Sequence, residues 1–278
     1  MSEGASFRTY FEVEGEDRSR LGAQVGEQRR RVAARLAEIR NVVAVMSGKG
    51  GVGKSYLTAA LALGLARRLT RGVGVVDADL KSPTVARLLG AAGPLALSPE
   101  GVRPALGNEN IRVISTDFLL ADGRPLRWRE PEHERFVWRG ALEAGVLREF
   151  LADVAWGPLE LLVIDLPPGA DGVADVAELA PSLKGAVSVT LPTDESYQSV
   201  RRAMASAQDA GIRLLGVIEN MSGYRCPSCG STEPLFPGSA GSRLAEDFGV
   251  PLLAQVPFSA GAVEVPSGLL DRFLETLA

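Results

Sequence analysis

Apolar residues along this chain follow two alternating rhythms. Short, nearly continuous apolar runs occur at 42–46 (VVAVM), 73–77 (VGVVD), 111–115 (IRVIS), 161–165 (LLVID), 186–191 (AVSVTL), 213–218 (RLLGVI) and 252–256 (LLAQV). Stretches near 54–69, 140–153, 173–180, 194–210, 239–248 and 267–277 lie between or after them and carry their apolar residues at helical spacing. β-rich runs separated by helices predict an α/β fold, a doubly wound and mostly parallel sheet covered on both faces. Residues 18–40 read as an amphipathic helix, with Leu21, Val25, Val32, Leu36 and Ile39 on one side and Arg29, Arg30 and Arg31 on the other. We therefore read 1–40 as an N-terminal helical arm and 41–278 as one domain. The charged segment 117–138, with its prolines and tryptophans, reads as a long loop.

Composition narrows the class. With 278 residues, 46% apolar and 23% charged, the chain can build a large core without cross-links. It holds no apolar run of about 18 residues, the length needed to span a bilayer. Its acidic N-terminus (Glu3, Glu12, Glu14, Glu16) lacks an apolar signal core. These features predict a cytoplasmic protein without a membrane partner. A net charge of −4 argues against nucleic acid as a partner. Of 30 basic residues four are lysines, and two of those, Lys49 and Lys54, share one short segment. A compact point charge is wanted there rather than a guanidinium fork.

That segment is Ser47-Gly48-Lys49-Gly50-Gly51-Val52-Gly53-Lys54-Ser55, between a predicted strand and a predicted helix. Gly48, Gly53, Lys54 and Ser55 satisfy the phosphate-loop pattern G-x-x-x-x-G-K-[ST] in the context it requires. Glycines let successive N–H groups turn toward phosphate oxygens, and the following helix adds its N-terminal donors. Lys54 is expected to reach the β- and γ-phosphates of ATP, and Ser55 to ligate Mg²⁺. Asp165 ends an apolar strand, as a magnesium-holding carboxylate should. The form GKGGVGKS resembles the deviant phosphate loop of the MinD, ParA and nitrogenase iron-protein class. That resemblance implies that Lys49 reaches the partner's nucleotide across a homodimer, and that Asp79 of Asp77-Ala78-Asp79 orients the attacking water.

Cys226 and Cys229 form C-P-S-C in a turn-rich stretch after a late strand. The spacing suits a redox pair or half of a metal site, and the position after a strand favours metal. Zinc and iron–sulfur sites want about four soft ligands, and two chains supply them where one does not.

Taken together, SGKGGVGKS (47–55), DADLKSPT (77–84), VWRG (137–140), the stretch ending LELLVIDLPPG at Gly169, ENMSGYRCPSCG (219–230) and LAEDFGVPLLAQVPF (244–258) resemble the Mrp/ApbC family of iron–sulfur cluster carrier ATPases, Nbp-type scaffolds included. The resemblance implies a P-loop NTPase fold and slow ATP hydrolysis. It further implies a [4Fe–4S] cluster bridged by Cys226 and Cys229 of two protomers, and apo iron–sulfur proteins as recipients. In this comparison Asn220 reads the adenine edge, and Tyr56 stands beside the α-phosphate where the family has threonine. Ser82 replaces a glycine, and Ala170-Asp171-Gly172 replaces Thr-Gly-Asp. Two other readings remain open at this level: a ParA/MinD-like positioning ATPase, and a regulatory NTPase bridged by zinc.

Overall fold

The computed structural model describes residues 21–119, 145–169, 171–258 and 265–278. Its centre is strand β1 (Ile39–Ser47), whose residues from Val42 to Ser47 are all buried. Alternate residues of a strand face opposite layers, and β1 uses this fully. Val42, Ala44 and Met46 enter one core, with α1 (Leu21–Leu36), α4 (145–153), α5 (Asp171–Leu179), α6 (Asp194–Asp209) and α7 (Ala240–Phe248). Val43 and Val45 enter the other, with α2 (Lys54–Ala66), α3 (Val85–Leu88) and α8 (Ser267–Leu277).

The remaining strands are β2 (Val73–Asp77), β3 (Ala96–Ser98), β4 (Gly101–Arg103), β5 (Ala105–Leu106), β6 (Arg112–Ile114), β7 (Leu159–Asp165), β8 (Leu183–Thr190), β9 (Leu214–Arg225), β10 (Thr232–Glu233) and β11 (Leu252–Phe258). The main sheet runs β10-β9-β8-β1-β7-β2-β6-β5, and β11 pairs with β9. All its pairings are parallel except those of the two short edge strands β5 and β10. This is the doubly wound α/β fold expected from the sequence, and every predicted strand and post-loop helix has its counterpart. The helical stretch near 140–153 is described from residue 145, and the long-loop reading of 117–138 lies outside the described residues after 119. VWRG (137–140) and Ala170 lie outside them as well.

Two features refine the sequence reading. The N-terminal helix places Val32 and Leu36, each 1% exposed, in the core formed with Phe150 and Leu151. Strand β9 extends seven residues past the predicted 218, reaching Arg225. That extension carries the chain from the buried part of the strand out to the cysteine pair.

The strand order positions the site. β7 inserts between β1 and β2, and the register sets Asp165 beside Val45 on one side and Asp77 on the other. Parallel strands end together, so the loop after β1 and the carboxylates ending β2 and β7 share one end of the sheet.

Candidate nucleotide and cysteine sites

The loop between β1 and α2 wraps the N-terminus of α2. Gly53 adopts φ +81°, and a Cβ there would lie 2.2 Å from the Asn220 side-chain nitrogen. At Gly48 a Cβ would meet the Ser199 backbone carbonyl carbon at 2.2 Å. Both positions therefore exclude any side chain, the first by backbone conformation as well. Asn220, 5% exposed at the end of the buried part of β9, donates its Nδ2–H to the Val52 carbonyl at 2.8 Å. One face of its amide is thus committed to bracing the loop.

Lys54 and Asp165 are both buried, and Lys54 Nζ lies 2.7 Å from Asp165 Oδ2. Ser55 Oγ donates to the same oxygen at 2.6 Å, and Thr58 Oγ1 donates to Asp165 Oδ1 at 2.7 Å. The sequence reading missed Thr58. Its signal was the spacing, since residues four apart share a helix face and Thr58 stands one turn beyond Lys54. A buried carboxylate tolerates low dielectric when paired and fully hydrogen-bonded, and Asp165 meets both conditions.

Asp77 is buried as deeply but served less completely. Its Oδ2 accepts from the N–H groups of Thr84 (3.0 Å) and Val85 (3.2 Å) and from Ser115 Oγ (3.1 Å). Its Oδ1 has no partner. Burial, and then the negative charge of Asp165, push its pKa up to about 7 against the pull of Ser115 and Lys54. Asp79 is half-buried, and its Oδ1 accepts from the Ser82 N–H at 3.2 Å.

The phosphate loop and the segment that follows β2 face each other across a cleft of about 510 Å³. Lys49, Gly50, Gly51, Val52, Gly53, Lys54, Ser55 and Tyr56 line it, together with Asp79, Thr84, Arg87 and Leu88. The residues fit a nucleoside phosphate with magnesium: turned glycines and an amide-rich helix start for the anion, and Ser55 and Asp165 as hard oxygen donors for the cation. Gly48 lies behind the loop, against Ser199, and Asn220 braces it from outside the cleft.

The cysteines lie beyond the same strand that carries Asn220. After Asn220, Met221 takes φ +52°, a left-handed conformation uncommon for a residue with a Cβ. The chain then extends to Arg225 and turns. The Gly230 N–H donates to the Cys226 carbonyl and the Cys226 N–H to the Ser231 carbonyl, both at 2.9 Å, and β10 closes the knuckle against Tyr224 and Arg225. Cys226 is half-buried and Cys229 exposed, and both are thiols. Cys229 Sγ lies 3.1 Å from Ser231 Oγ. Hydrogen bonds from Ser231, and then from Cys226, hold the Cys229 thiol below its usual pKa, which favours the ligating thiolate. Among the described residues no group of three or more histidine, cysteine or acidic side chains could hold a metal ion. Two sulfurs are half of the four ligands that a tetrahedral thiolate site requires.

Comparison with known proteins agrees with this geometry. A family model described as ParA, NUBPL iron-transfer P-loop NTPase, matches residues 38–267. An iron–sulfur cluster carrier protein of Saccharolobus solfataricus is 40% identical over 229 residues, covering 81% of this chain and 74% of the relative. The human cytosolic Fe–S cluster assembly factor NUBP2 is 39% identical over 225 residues, covering 79% of each. Among solved structures, a nucleotide-binding protein of Archaeoglobus fulgidus in complex with ADP superposes with a TM-score of 0.67 at 34% identity, covering 90% of this chain and 91% of that one. The cell-division ATPase MinD of Pyrococcus furiosus shares the fold, with a TM-score of 0.52 at 20% identity, covering 86% of this chain and 97% of that one. With most of its length matched, the chain belongs to the ParA family of P-loop NTPases, in its NUBPL iron-transfer group.

Proposed function

We propose that this protein is an ATP-binding iron–sulfur cluster carrier or scaffold, which holds a [4Fe–4S] cluster between two protomers and passes it to apo-proteins. The observation that carries the reading is strand β9. One continuous strand braces the phosphate loop through Asn220 and ends in the two-cysteine knuckle. The named relatives, a cluster carrier and a cluster assembly factor, support the same reading.

In this reading the loop amides cradle the phosphates, and Lys54 exchanges Asp165 for the β- and γ-phosphates. Ser55 and Asp165 would hold magnesium, which supplies charge neutralisation at the phosphates when bound. Asp79 orients water for slow hydrolysis, and Lys49 reaches the partner's nucleotide. Asn220 keeps its Nδ2–H on Val52 and offers its remaining amide edge to adenine. Cys226 and Cys229 bind the cluster as cargo, each protomer giving two of four thiolates. Both cysteines are thiols, which suits the reducing cytosol. Among the described residues no helix is long and apolar enough to cross a membrane.

The test is anaerobic reconstitution, with iron content, absorbance near 400 nm and mass in solution measured together. The expected result is about one four-iron cluster per two chains, on a dimer. Four irons per monomer would overturn the bridging arrangement. Tightly bound zinc with no cluster formed would favour a structural zinc site instead.

A further inference from the structure

One cation on the cleft wall has no part in the scheme above. Arg87 lies on α3, opposite the phosphate loop, and lines the cleft with Lys49, Lys54, Asp79 and Thr84. Its Nε and Nη2 donate to Asp117 Oδ2 and Oδ1 at 2.8 and 2.6 Å, a two-point fork. Asp117 is 15% exposed and Arg87 69%, so a mostly buried carboxylate fixes an open guanidinium. Two parallel charge-assisted bonds hold a planar group far better than a loose surface ion pair.

Asp117 is itself anchored. Its N–H donates to Ser115 Oγ at 3.1 Å, and Ser115 Oγ donates to Asp77 Oδ2 at 3.1 Å. The same Asp77 oxygen accepts the N–H groups of Thr84 and Val85, where α3 begins. The backbone of α3 and the clamp on its arginine thus both trace to one buried carboxylate. Asp77 in turn sits beside Asp165 in the strand register. An arginine placed on a cleft wall by this relay is a positioned group rather than a solvated surface residue. Its Nη1 makes no hydrogen bond to any described residue, leaving one edge of the fork for an anion.

We propose that Arg87, clamped by Asp117, binds the terminal phosphate of a nucleoside triphosphate in the cleft. The inference rests on the reading of the loop as an ATP site, and adds a group that distinguishes triphosphate from diphosphate. The loop amides and the α2 N-terminus take up the phosphates nearest the loop. Arg87 approaches from the facing wall, on the segment that also carries Asp79. Asp117 acts as the positioning residue. It holds the fork in its plane and leaves Nη1 to donate.

Calorimetric titration of the full chain with Mg²⁺ and either ADP or a non-hydrolysable ATP analogue tests this. Wild type should bind both, and failure to bind either would overturn the ATP-site reading itself. In Arg87→Ala the analogue should weaken by roughly 10-fold, the worth of one charge-assisted bond, while ADP stays within about 2-fold. Arg87→Lys, with charge but no fork, should fall between. Asp117→Asn should lower the preference for triphosphate part-way without touching ADP, an effect that general loosening would not produce. If wild type binds both nucleotides and Arg87→Ala weakens them equally, or weakens neither, the proposal is wrong and the ATP-site reading stands.

Discussion

The nucleotide cleft and the cysteine knuckle lie at the same end of the sheet but are built in opposite ways. The polar network of the cleft is assembled within one chain: Asp165 is buried, paired with Lys54 and hydrogen-bonded by Ser55 and Thr58. The knuckle is exposed and supplies two thiols from a short turn. A preorganised polar site loses little on binding, because its groups are already desolvated and ordered. A half-complete thiolate site must recruit its remaining ligands, so its occupancy is tied to association with another molecule. In the proposed carrier the difference gives the two regions separate parts: a preformed nucleotide cleft, and a handle open enough to release its load. Strand β9 joins them, carrying Asn220 and ending at Arg225, next to Cys226.

The largest effect that would break this contrast is at the knuckle. Cys226→Ser or Cys229→Ser should reduce cluster content to background, with nucleotide affinity within about 2-fold of wild type, since one thiolate per chain cannot complete four-fold ligation. Iron analysis beside nucleotide titration checks it, and a retained cluster would show that the ligands lie elsewhere. The converse change is Lys54→Ala. It should weaken ATP binding by roughly 10- to 150-fold, the worth of a charge-assisted bond in a desolvated site. Reconstituted cluster content should change little, because the knuckle is held by its own turn and by β10.

A smaller effect separates the two regions by pH. Asp77 has its pKa raised to about 7 in the folded chain, from an ordinary carboxylate value when unfolded. Between those values the native state holds more protons, so this contribution to stability is full at low pH and is lost as pH rises through about 7. Denaturant unfolding of wild type in magnesium-free buffer should therefore show a falling component, at most about 1.4 kcal/mol per pH unit. Asp77→Asn should remove that component and keep an acceptor for Thr84 and Val85. An unchanged slope would mean that Asp77 is ionised throughout. The smallest effect is expected from Asn220→Ala. Losing the bond to Val52 should cost about 1 kcal/mol of stability and weaken nucleotide binding a few-fold, through a loosened loop. If cluster content fell as well, β9 would be shown to transmit between the sites.

Much of this was legible along the chain because the signals are local. A run such as LLVID buries on both faces and becomes a central strand wherever it pairs, and the spacing of Gly48, Gly53, Lys54 and Ser55 is a contiguous pattern whose backbone geometry is set within nine residues. The C-P-S-C turn is local in the same way. The two- and three-residue strands β3, β4, β5 and β10 were not legible, since so few residues carry no periodicity.

What the tertiary structure decided is which distant groups meet. Nothing in the order of the chain says that β7 inserts between β1 and β2, and that insertion sets Asp165 beside Asp77 and within reach of Lys54. The contact of Asn220 with Val52 spans 168 residues, and the clamp of Arg87 by Asp117 depends on β6 lying beside β2. Sequence spacing specifies secondary structure and contiguous motifs because their hydrogen bonds close within a few residues. Buried carboxylates acquire their partners and their proton affinity only when the sheet is ordered, because desolvation and charge depend on distance through space.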